Sequence, residues 1–224
     1  MNLSVVIPAY NEERVIGEIV DRVRKVVDSD AEVIVVDDGS KDNTAKRAAE
    51  KGAKIIQHTT NQGKGVSIRD GFASANADFV LFIDGDGQDD PADIPRLLQP
   101  MTQGADFVIG SRWLGVLRDG AISETNFLVS DMITRLINLL YNSNITDSQA
   151  GFRCVRKRKL EKLKFSARGY DIETEMLLKA IKHKLRIVEV PVTRSRRPYG
   201  TTHMKRYRLG VKILLLMLKE VFTS

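Results

Sequence analysis

Short, continuously apolar segments alternate with helical patterns along the first half of the chain, and this alternation constrains the fold more than any other feature. The apolar segments are residues 3–7, 33–36, 54–57 and 79–83. The helical patterns between them are residues 12–27, 42–51 and 63–76. A β-α-β-α order predicts an α/β fold with a mostly parallel sheet and helices on both faces. Strands without polar alternation indicate burial on both sides.

The second half is less regular. We predict strands at residues 106–110 and 186–190, and helices at 127–141 and 172–183. Residues 194–208, rich in Arg, Gly and Thr, are typical of a mobile loop, and residues 209–222 form a final helix with an apolar stripe. The chain shows no internal repeat and no clear linker, so we expect one domain over residues 1–224.

Polar clusters follow three of the predicted strands. They are Pro8-Ala9-Tyr10-Asn11-Glu12, Asp37-Asp38-Gly39-Ser40 and Asp84-Gly85-Asp86. In open α/β sheets, ligands bind beyond the carboxyl ends of the strands. The three clusters therefore predict a single binding site at one edge of the sheet.

The segment around Asp84 and Asp86 is a candidate metal site. In extended backbone, residues i and i+2 point to the same side, which brings the two carboxylates together. Gly85 and Gly87 let the backbone approach a ligand, and Gln88 offers a further oxygen. Oxygen ligands favour Mg²⁺ or Mn²⁺, which would bridge a diphosphate. The alternative is a surface turn rich in Asp and Gly.

Candidate nucleotide contacts lie in the other two clusters. Asp37 or Asp38 would accept hydrogen bonds from a nucleobase or ribose, while the other member of the pair caps the following helix. Tyr10 would stack on a nucleoside and Glu12 would bind it, although Glu12 also suits a first helical turn. Spacing alone does not decide between these roles.

The segment Asn61-Gln62-Gly63-Lys64-Gly65 is similar to phosphate-binding loops. The Gly-x4-Gly-Lys-Ser/Thr pattern is absent, and so is a Gly-x-Gly-x-x-Gly after a strand. A dinucleotide site is therefore disfavoured, and the plain alternative is a tight turn that enters a helix.

Charge is unevenly distributed along the chain. The net charge of +6 divides into −6 over residues 1–100 and +12 over residues 101–224. The basic half is either a solvated surface or a surface that meets an anion, such as a phosphorylated substrate or an anionic membrane. A nucleic-acid-binding module would leave Asp84 and Asp86 unexplained, so we expect no nucleic-acid partner.

The sequence also bears on the compartment. Cys154 is the only cysteine, which excludes an intrachain disulfide and favours a reducing compartment. The first residues show no signal-peptide pattern, and no apolar run reaches the roughly 18 residues that a spanning helix needs. We expect a cytoplasmic protein.

Motifs across nearly the whole chain resemble family 2 glycosyltransferases of the GT-A fold, close to dolichyl-phosphate mannose and glucose synthases. The matching segments, in family order, are Val5-Val6-Ile7-Pro8-Ala9-Tyr10-Asn11-Glu12, Val35-Val36-Asp37-Asp38-Gly39-Ser40-Lys41-Asp42, Asn61-Gln62-Gly63-Lys64-Gly65, Asp84-Gly85-Asp86-Gly87-Gln88, Gly110-Ser111-Arg112, Ile145-Thr146-Asp147-Ser148-Gln149-Ala150-Gly151-Phe152-Arg153 and Gly169-Tyr170-Asp171-Ile172-Glu173.

This resemblance implies an inverting transfer of one sugar from a GDP- or UDP-sugar to a polyprenyl or dolichyl phosphate, with Mg²⁺ or Mn²⁺ as cofactor. Residues 1–110 would bind the nucleotide sugar, and residues 111–224 would bind the acceptor. The sugar would be mannose, glucose or an N-acetylhexosamine. A soluble or cell-surface glycan acceptor is the alternative, and it would need a carboxylate base.

The resemblance also assigns roles to single residues. The metal ligands are Asp84, Asp86 and Gln88, and the nucleotide contacts are Pro8, Tyr10, Glu12 and Asp38. Arg112 and Thr134 would meet the lipid phosphate, and Arg197 would close over the diphosphate. Lys64 and Arg153 are further substrate-binding candidates within matched motifs. The catalytic candidates are Asp86, Arg112, Glu173 and Glu175.

Two departures from the family pattern concern the acceptor. Ser130 stands where close relatives carry a second phosphate-binding Arg, a role that Arg118 or Arg135 would have to take over. Thr202-His203 replaces the family's Ser-Lys, with Lys205 two residues further on as a substrate-binding candidate. Residues 209–222 would either lie on a membrane surface, which makes the protein peripheral with a membrane or membrane-protein partner, or pack on the core.

Overall fold

The computed structural model describes residues 2–200 and 206–222. Its strands are β1 (Leu3–Ala9), β2 (Glu32–Asp37), β3 (Lys54–Gln57), β4 (Phe79–Phe82), β5 (Phe107–Leu117), β6 (Arg153–Arg156) and β7 (Ile187–Arg194). Its helices are α1 (Ile16–Arg24), α2 (Thr44–Ala49), α3 (Lys64–Ser74), α4 (Ile94–Thr102), α5 (Glu124–Tyr141), α6 (Lys157–Leu160), α7 (Ile172–Lys182) and α8 (Arg206–Phe222). The strands form one sheet in the order β3-β2-β1-β4-β6-β5-β7.

The predicted parallel sheet is confirmed in the first half, where β3, β2, β1 and β4 all run parallel. Every residue of β1 is buried, because alternate side chains enter separate cores on the two faces. Val5 and Ile7 pack with α1 and α4 on one face. Val6 packs with α3, α5, α7 and α8 on the other.

The second half departs from the predictions. The strand β6 was not predicted, and it runs antiparallel between β4 and β5. Its four residues include two arginines and thus lack an apolar run. Helix α4 was missed as well, because Pro95 and Pro100 obscure an apolar face of Ile94, Leu97 and Met101.

The strand β7 continues past Pro191 to Arg194, so the predicted end at residue 190 is wrong. A proline is tolerated there because β7 is the last strand of the sheet. Arg194 therefore belongs to a strand rather than to the predicted loop. Thr202, His203 and Lys205 lie outside the described residues.

Helix α8 begins at Arg206, earlier than predicted, and one of its faces packs on the core. Ile213, Leu216 and Met217 are buried, whereas Leu214 and Leu215 are exposed. The Tyr141 hydroxyl donates to the Met217 carbonyl at 3.2 Å and ties α8 to α5. Within residues 2–200 and 206–222, we find no helix with the length and apolar character needed to cross a bilayer.

The predicted convergence of the three polar clusters follows from the register of the sheet. Ala9 at the end of β1 lies beside Asp37 at the end of β2. The Asp38 N–H donates to the Ala9 carbonyl at 2.9 Å, and the Gly85 N–H donates to the Pro8 carbonyl at 3.3 Å. The residues that follow β1, β2 and β4 therefore share one edge.

Candidate active site

Two cavities open at this edge and share a wall. The first cavity, about 470 Å³, is lined chiefly by residues of the first half. The second cavity, about 430 Å³, is lined chiefly by residues that follow β5 and by α5 and α7. The shared wall consists of Lys64, Asp84, Asp86, Tyr170 and Arg197. The predicted metal segment thus lies where the two cavities meet.

Lys64 is the centre of an ion cluster in this wall. Its Nζ lies 2.6 Å from Asp84 Oδ1 and 2.7 Å from Glu173 Oε1. The other Glu173 oxygen, Oε2, is buried and has no hydrogen-bond partner among the described residues. A Cβ at Gly151 would lie 3.0 Å from Asp84 Oδ2 and 3.2 Å from Lys64 Nζ, so a side chain there would press on the cluster.

The cluster keeps Asp84 ionised. Burial raises the pKa of Asp84, but the cations of Lys64, Arg194 and Arg112 outweigh it and hold that pKa below its usual value. Burial lowers the pKa of Lys64, and the carboxylates of Asp84 and Glu173 reverse this and hold it above its usual value. The pair is charged on both sides at neutral pH.

Asp86 is less constrained. Its Oδ1 accepts from the Gln88 N–H at 3.0 Å, and its Oδ2 lies 3.6 Å from Arg197 Nη1. The side chains of Asp84 and Asp86 are 20% and 15% exposed, and both line the two cavities. Two hard carboxylate donors that face open space fit Mg²⁺ or Mn²⁺.

Such a cation would need further ligands. Among the described residues, no three His, Cys, Asp or Glu side chains are grouped closely enough to hold a metal. Mg²⁺ is commonly bound by one or two carboxylates together with water and substrate phosphates. The Gln88 oxygen accepts from Arg194 Nη2 at 2.9 Å, and its Nε2 donates to the carbonyls of Ala121 and Ser195. Ligation by Gln88 remains a prediction.

The first cavity is lined by four of the five predicted nucleotide residues, namely Pro8, Tyr10, Glu12 and Asp38. Asp37 does not line it, and its assignment to substrate stays a prediction. Its Oδ1 accepts from the Ser40 N–H and its Oδ2 from Gln57, so both oxygens serve the strand end. Neither member of the pair caps α2, because Asp42 accepts from the Thr44 N–H instead.

Glu12 carries a perturbed carboxyl group in this cavity. Burial raises the pKa of Glu12 to about 7, and the nearby Asp86 adds to the rise, although Arg197 opposes it. Arg197 Nη2 donates directly to Glu12 Oε1. Arg197 therefore ties the nucleotide side of the cavity to the acidic pair.

In the second cavity, Arg112 is fixed by a carboxylate beneath it. Its Nε and Nη2 each lie 2.7 Å from an oxygen of Asp147, which is fully buried. Burial raises the pKa of Asp147, but Arg112 outweighs burial and keeps that pKa below its usual value. The backbone N–H groups of Thr146 and Asp147 donate to Glu189, which anchors this loop to β7. Arg112 is thus held rigidly at the cavity wall.

Three other predicted site residues line neither cavity and bond within the protein, so their substrate roles stay predictions. Arg153 is 1% exposed and donates to the carbonyls of Ala150, Ser148 and Glu173. Thr134 Oγ1 is 2.8 Å from Ser148 Oγ, away from both cavities. Glu175 accepts from the N–H groups of Ser166 and Ala167 and from Lys179. Glu173, by contrast, lines the second cavity as predicted.

Arg194 lines the second cavity and was missed. Its Nη1 lies 2.7 Å from Asp89 Oδ1, and the carboxylates of Asp89, Asp86 and Asp84 raise its pKa against the effect of burial. The sequence carries a signal for Arg194: Val190, Val192 and Arg194 are alternate residues and share one face, which predicts that the strand continues past Pro191.

Ser130 also lines the second cavity, whereas Thr134, one helical turn later, does not.

Comparison with known proteins gives one family and several relatives. Residues 4–164 match the family described as Glycosyl transferase family 2. The chain is 32% identical to the UDP-N-acetylglucosamine–dolichyl-phosphate N-acetylglucosaminyltransferase of Methanococcus voltae, over 97% of this chain and 96% of that protein. It is 30% identical to the undecaprenyl-phosphate mannosyltransferase of Micrococcus luteus, over 96% and 92%.

A solved structure shares the fold. Glucosyl-3-phosphoglycerate synthase from Mycobacterium tuberculosis, in complex with Mn²⁺, UDP and glucosyl-3-phosphoglycerate, matches with a TM-score of 0.80 and 25% identity. The match covers 100% of this chain and 81% of that one. The predicted GT-A fold is confirmed.

Proposed function

Since the chain belongs to glycosyl transferase family 2, we propose that it moves a sugar from a nucleoside diphosphate sugar in the first cavity to a polyprenyl-type phosphate in the second. One observation carries this proposal: the two cavities share the wall formed by Asp84, Asp86 and Lys64. If the diphosphate of the donor lies at that wall, the anomeric carbon of its sugar would face an acceptor in the second cavity. The relatives from Methanococcus voltae and Micrococcus luteus are both named as sugar transferases to a lipid phosphate. These names support a polyprenyl-type phosphate as the acceptor.

In the proposed reaction, the protein positions charged groups rather than supplying a base. A phosphate acceptor is already anionic, and its oxygen attacks the anomeric carbon in line with the leaving diphosphate. Asp84 and Asp86 would hold the divalent cation, whose chemistry is to offset the charge of that diphosphate. Lys64 and Arg197 line the same wall and would orient the diphosphate oxygens.

The acceptor phosphate would meet Arg112 and Arg196, which both line the second cavity. Arg112 is rigid, and it contributes a fixed positive charge. Arg196 is exposed, and within residues 2–200 and 206–222 it forms no ion pair or hydrogen bond. Arg135 instead pairs with Asp131 outside both cavities. Arg118 lines neither cavity. We therefore propose Arg196, rather than Arg118 or Arg135, as the cation that offsets the missing arginine at Ser130.

A hydroxyl acceptor is the second candidate, and Glu173 is the observation that favours it. Its Oε2 is buried at the second cavity without a hydrogen-bond partner among the described residues, as a general base would require. Its other oxygen is already paired with Lys64 at 2.7 Å, so only Oε2 is open to an acceptor hydroxyl. Transfer to a lipid phosphate needs no general base, because that acceptor is already anionic.

We also propose a peripheral position on the cytoplasmic face of a membrane. Val129, Ser130 and Ile133 of α5 line the second cavity, while Leu128 and Met132 of the same helix are 64% exposed. A helix with one side in the cavity and an apolar side in solvent would set the cavity mouth at a bilayer. Flotation with anionic liposomes tests this, and no association would refute it.

An acceptor screen tests the function. The protein, with Mg²⁺ or Mn²⁺, is offered UDP- and GDP-sugars with undecaprenyl phosphate, dolichyl phosphate, 3-phosphoglycerate or free saccharides, and products are identified by mass spectrometry. Glycosylated lipid phosphate is the expected product. Transfer to a saccharide hydroxyl alone, lost in Glu173→Gln, would establish the second candidate instead.

A further inference from the structure

His58, a buried residue just after β3, has no part in the proposed reaction. Its ring lies between two carboxylates. Nδ1 is 2.7 Å from Asp38 Oδ1, and Nε2 is 3.0 Å from Asp70 Oδ2. The backbone of His58 is fixed as well, because its N–H donates to the Asp37 carbonyl at 2.9 Å. Asp38 lines the first cavity, whereas Asp70 lies on α3 with a half-exposed side chain.

The ring completes a set of donors around Asp38. The Gln62 N–H donates to Asp38 Oδ1 at 2.8 Å, and the Gly63 N–H donates to Oδ2 at 2.8 Å. An ionised carboxylate only accepts and offers about four acceptor positions. Within the described part of the chain, three of these positions are filled, by His58, Gln62 and Gly63. One position on Oδ2 remains for a group in the first cavity.

Asp38 and Asp70 both face the imidazole. Because an ionised carboxylate only accepts, both contacts are hydrogen bonds only if each ring nitrogen carries a hydrogen. In that form Nδ1–H donates to Asp38 and Nε2–H donates to Asp70. Asp70 is six residues after Lys64 on α3. The series Asp70–His58–Asp38 therefore connects the middle of helix α3 to a carboxylate that lines the first cavity.

We propose that His58 is a positioning residue for donor recognition: it orients Asp38 so that the remaining acceptor position of Oδ2 meets an N–H group of the nucleobase. This inference rests on the proposed function, because it places a nucleoside in the first cavity. The shared chemistry is a ring N–H beside a carbonyl oxygen, which uracil (N3) and guanine (N1) both offer. Adenine and cytosine present an acceptor at the equivalent ring nitrogen and would be rejected.

The decisive measurement is nucleotide binding, which does not depend on any acceptor. Calorimetry with Mg²⁺ is run for UDP, GDP, ADP and CDP on the unsubstituted protein and on His58→Leu. We expect UDP or GDP to bind about tenfold more weakly to His58→Leu, as loss of one charge-assisted hydrogen bond implies, while ADP and CDP change little. The ratio of the affinity for UDP or GDP to the affinity for ADP or CDP would therefore fall.

Two amide variants separate positioning from packing. His58→Asn places its amide N–H near the position of Nδ1 and should restore most of the nucleotide affinity. His58→Gln reaches instead toward Asp70 and should not restore it. His183→Leu, at an exposed histidine after α7, is the matched control and should bind nucleotide as the unsubstituted protein does.

A double-mutant cycle identifies Asp38 as the group through which His58 acts. In an Asp38→Asn background, His58→Leu should cost little further affinity, because the carboxylate it orients is gone. In transfer assays, His58→Leu should raise the donor KM and leave kcat at saturating donor nearly unchanged. Where His58→Leu does not fold, His58→Gln takes its place in the cycle.

The proposal fails if His58→Leu lowers Tm but leaves nucleotide affinity and base discrimination intact, since His58 would then be only a packed core residue. The proposal would also be overturned if the affinity losses of His58→Leu and Asp38→Asn were additive. Equal nucleotide affinity in His58→Asn and His58→Gln would overturn it as well. Absence of transfer to polyprenyl phosphate, with His58-dependent nucleotide binding preserved, would refute the acceptor assignment and leave this inference standing.

Discussion

Replacement of Arg194 by methionine should destabilise the protein more than replacement of any surface arginine. The Arg194 guanidinium binds Asp89 at 2.7 Å and Gln88 Oε1 at 2.9 Å, and the Asp89 side chain is 2% exposed. Asp89 Oδ2 has no hydrogen-bond partner among the described residues, so Arg194 is the main compensation for this buried charge. Methionine keeps an unbranched stem of similar length and removes only the guanidinium.

The magnitude follows from the state of Asp89. Removing one partner of a buried ion pair costs about 3–5 kcal/mol, because the other charge is left uncompensated. Burial already raises the pKa of Asp89 against the effect of Arg194. Without Arg194 the pKa of Asp89 would rise further, and protonation of this carboxyl group would limit the loss to the lower end, about 3 kcal/mol. For a chain of this size that corresponds to a fall in Tm of about 10 °C.

Urea denaturation in the presence of a chelator measures the effect at several pH values. The deficit of Arg194→Met should shrink as the pH falls, because a protonated Asp89 needs no counter-charge. Arg194→Met combined with Asp89→Asn should recover most of the stability, and Arg135→Met, at an exposed site, serves as control. A loss below about 1 kcal/mol, or a double variant that shows the sum of two large losses, would refute the reasoning.

Three further predictions concern the two cavities. Asp86→Ala should lower transfer at least about a hundredfold with an unchanged Tm, since it would remove a proposed metal ligand; full activity in excess chelator would contradict this. Glu12 has its pKa raised from 4.5 to about 7 in the folded protein, so the folded state binds more protons in this window and stability should fall as the pH rises from 4.5 to about 7. Glu12→Gln should flatten that fall in thermal melts, and an unchanged pH profile would show that Glu12 is ionised throughout. Arg196→Ala should raise the acceptor KM about tenfold and leave the donor KM unchanged, as loss of one charged contact implies; an equal rise for Arg135→Ala would point to general surface charge.

The proposed donor side of the site was predictable because the ends of the strands can be located in the sequence. The continuous apolar runs locate the carboxyl ends of β1, β2 and β4, and a parallel sheet then brings Tyr10, Asp38 and Asp84 to one edge. Asp37 is the last residue of β2 and its carboxylate bonds to Ser40 and Gln57, whereas Asp38 lies beyond the strand and lines the cavity. Sequence spacing alone does not show these side-chain contacts.

The proposed acceptor side was harder to predict, because contacts between residues distant in sequence determine which way its side chains point. Thr134 and Ser130 are one helical turn apart, yet only Ser130 lines a cavity, because Thr134 bonds to Ser148. Arg153 resembles a substrate-binding cation until its three carbonyl partners are known. Their partners lie up to 20 residues away, and no local pattern predicts them.

The insertion of β6 between β4 and β5 has a consequence for synthesis on the ribosome. The strands β1 to β4 are complete when residue 82 has been made, but the free edge of β4 receives its antiparallel partner only after residue 156. For about seventy residues of elongation, a buried apolar strand would present unpaired backbone groups. The nascent chain is therefore exposed to misassociation until its second half emerges, and holdase chaperones would be expected to bind within that interval.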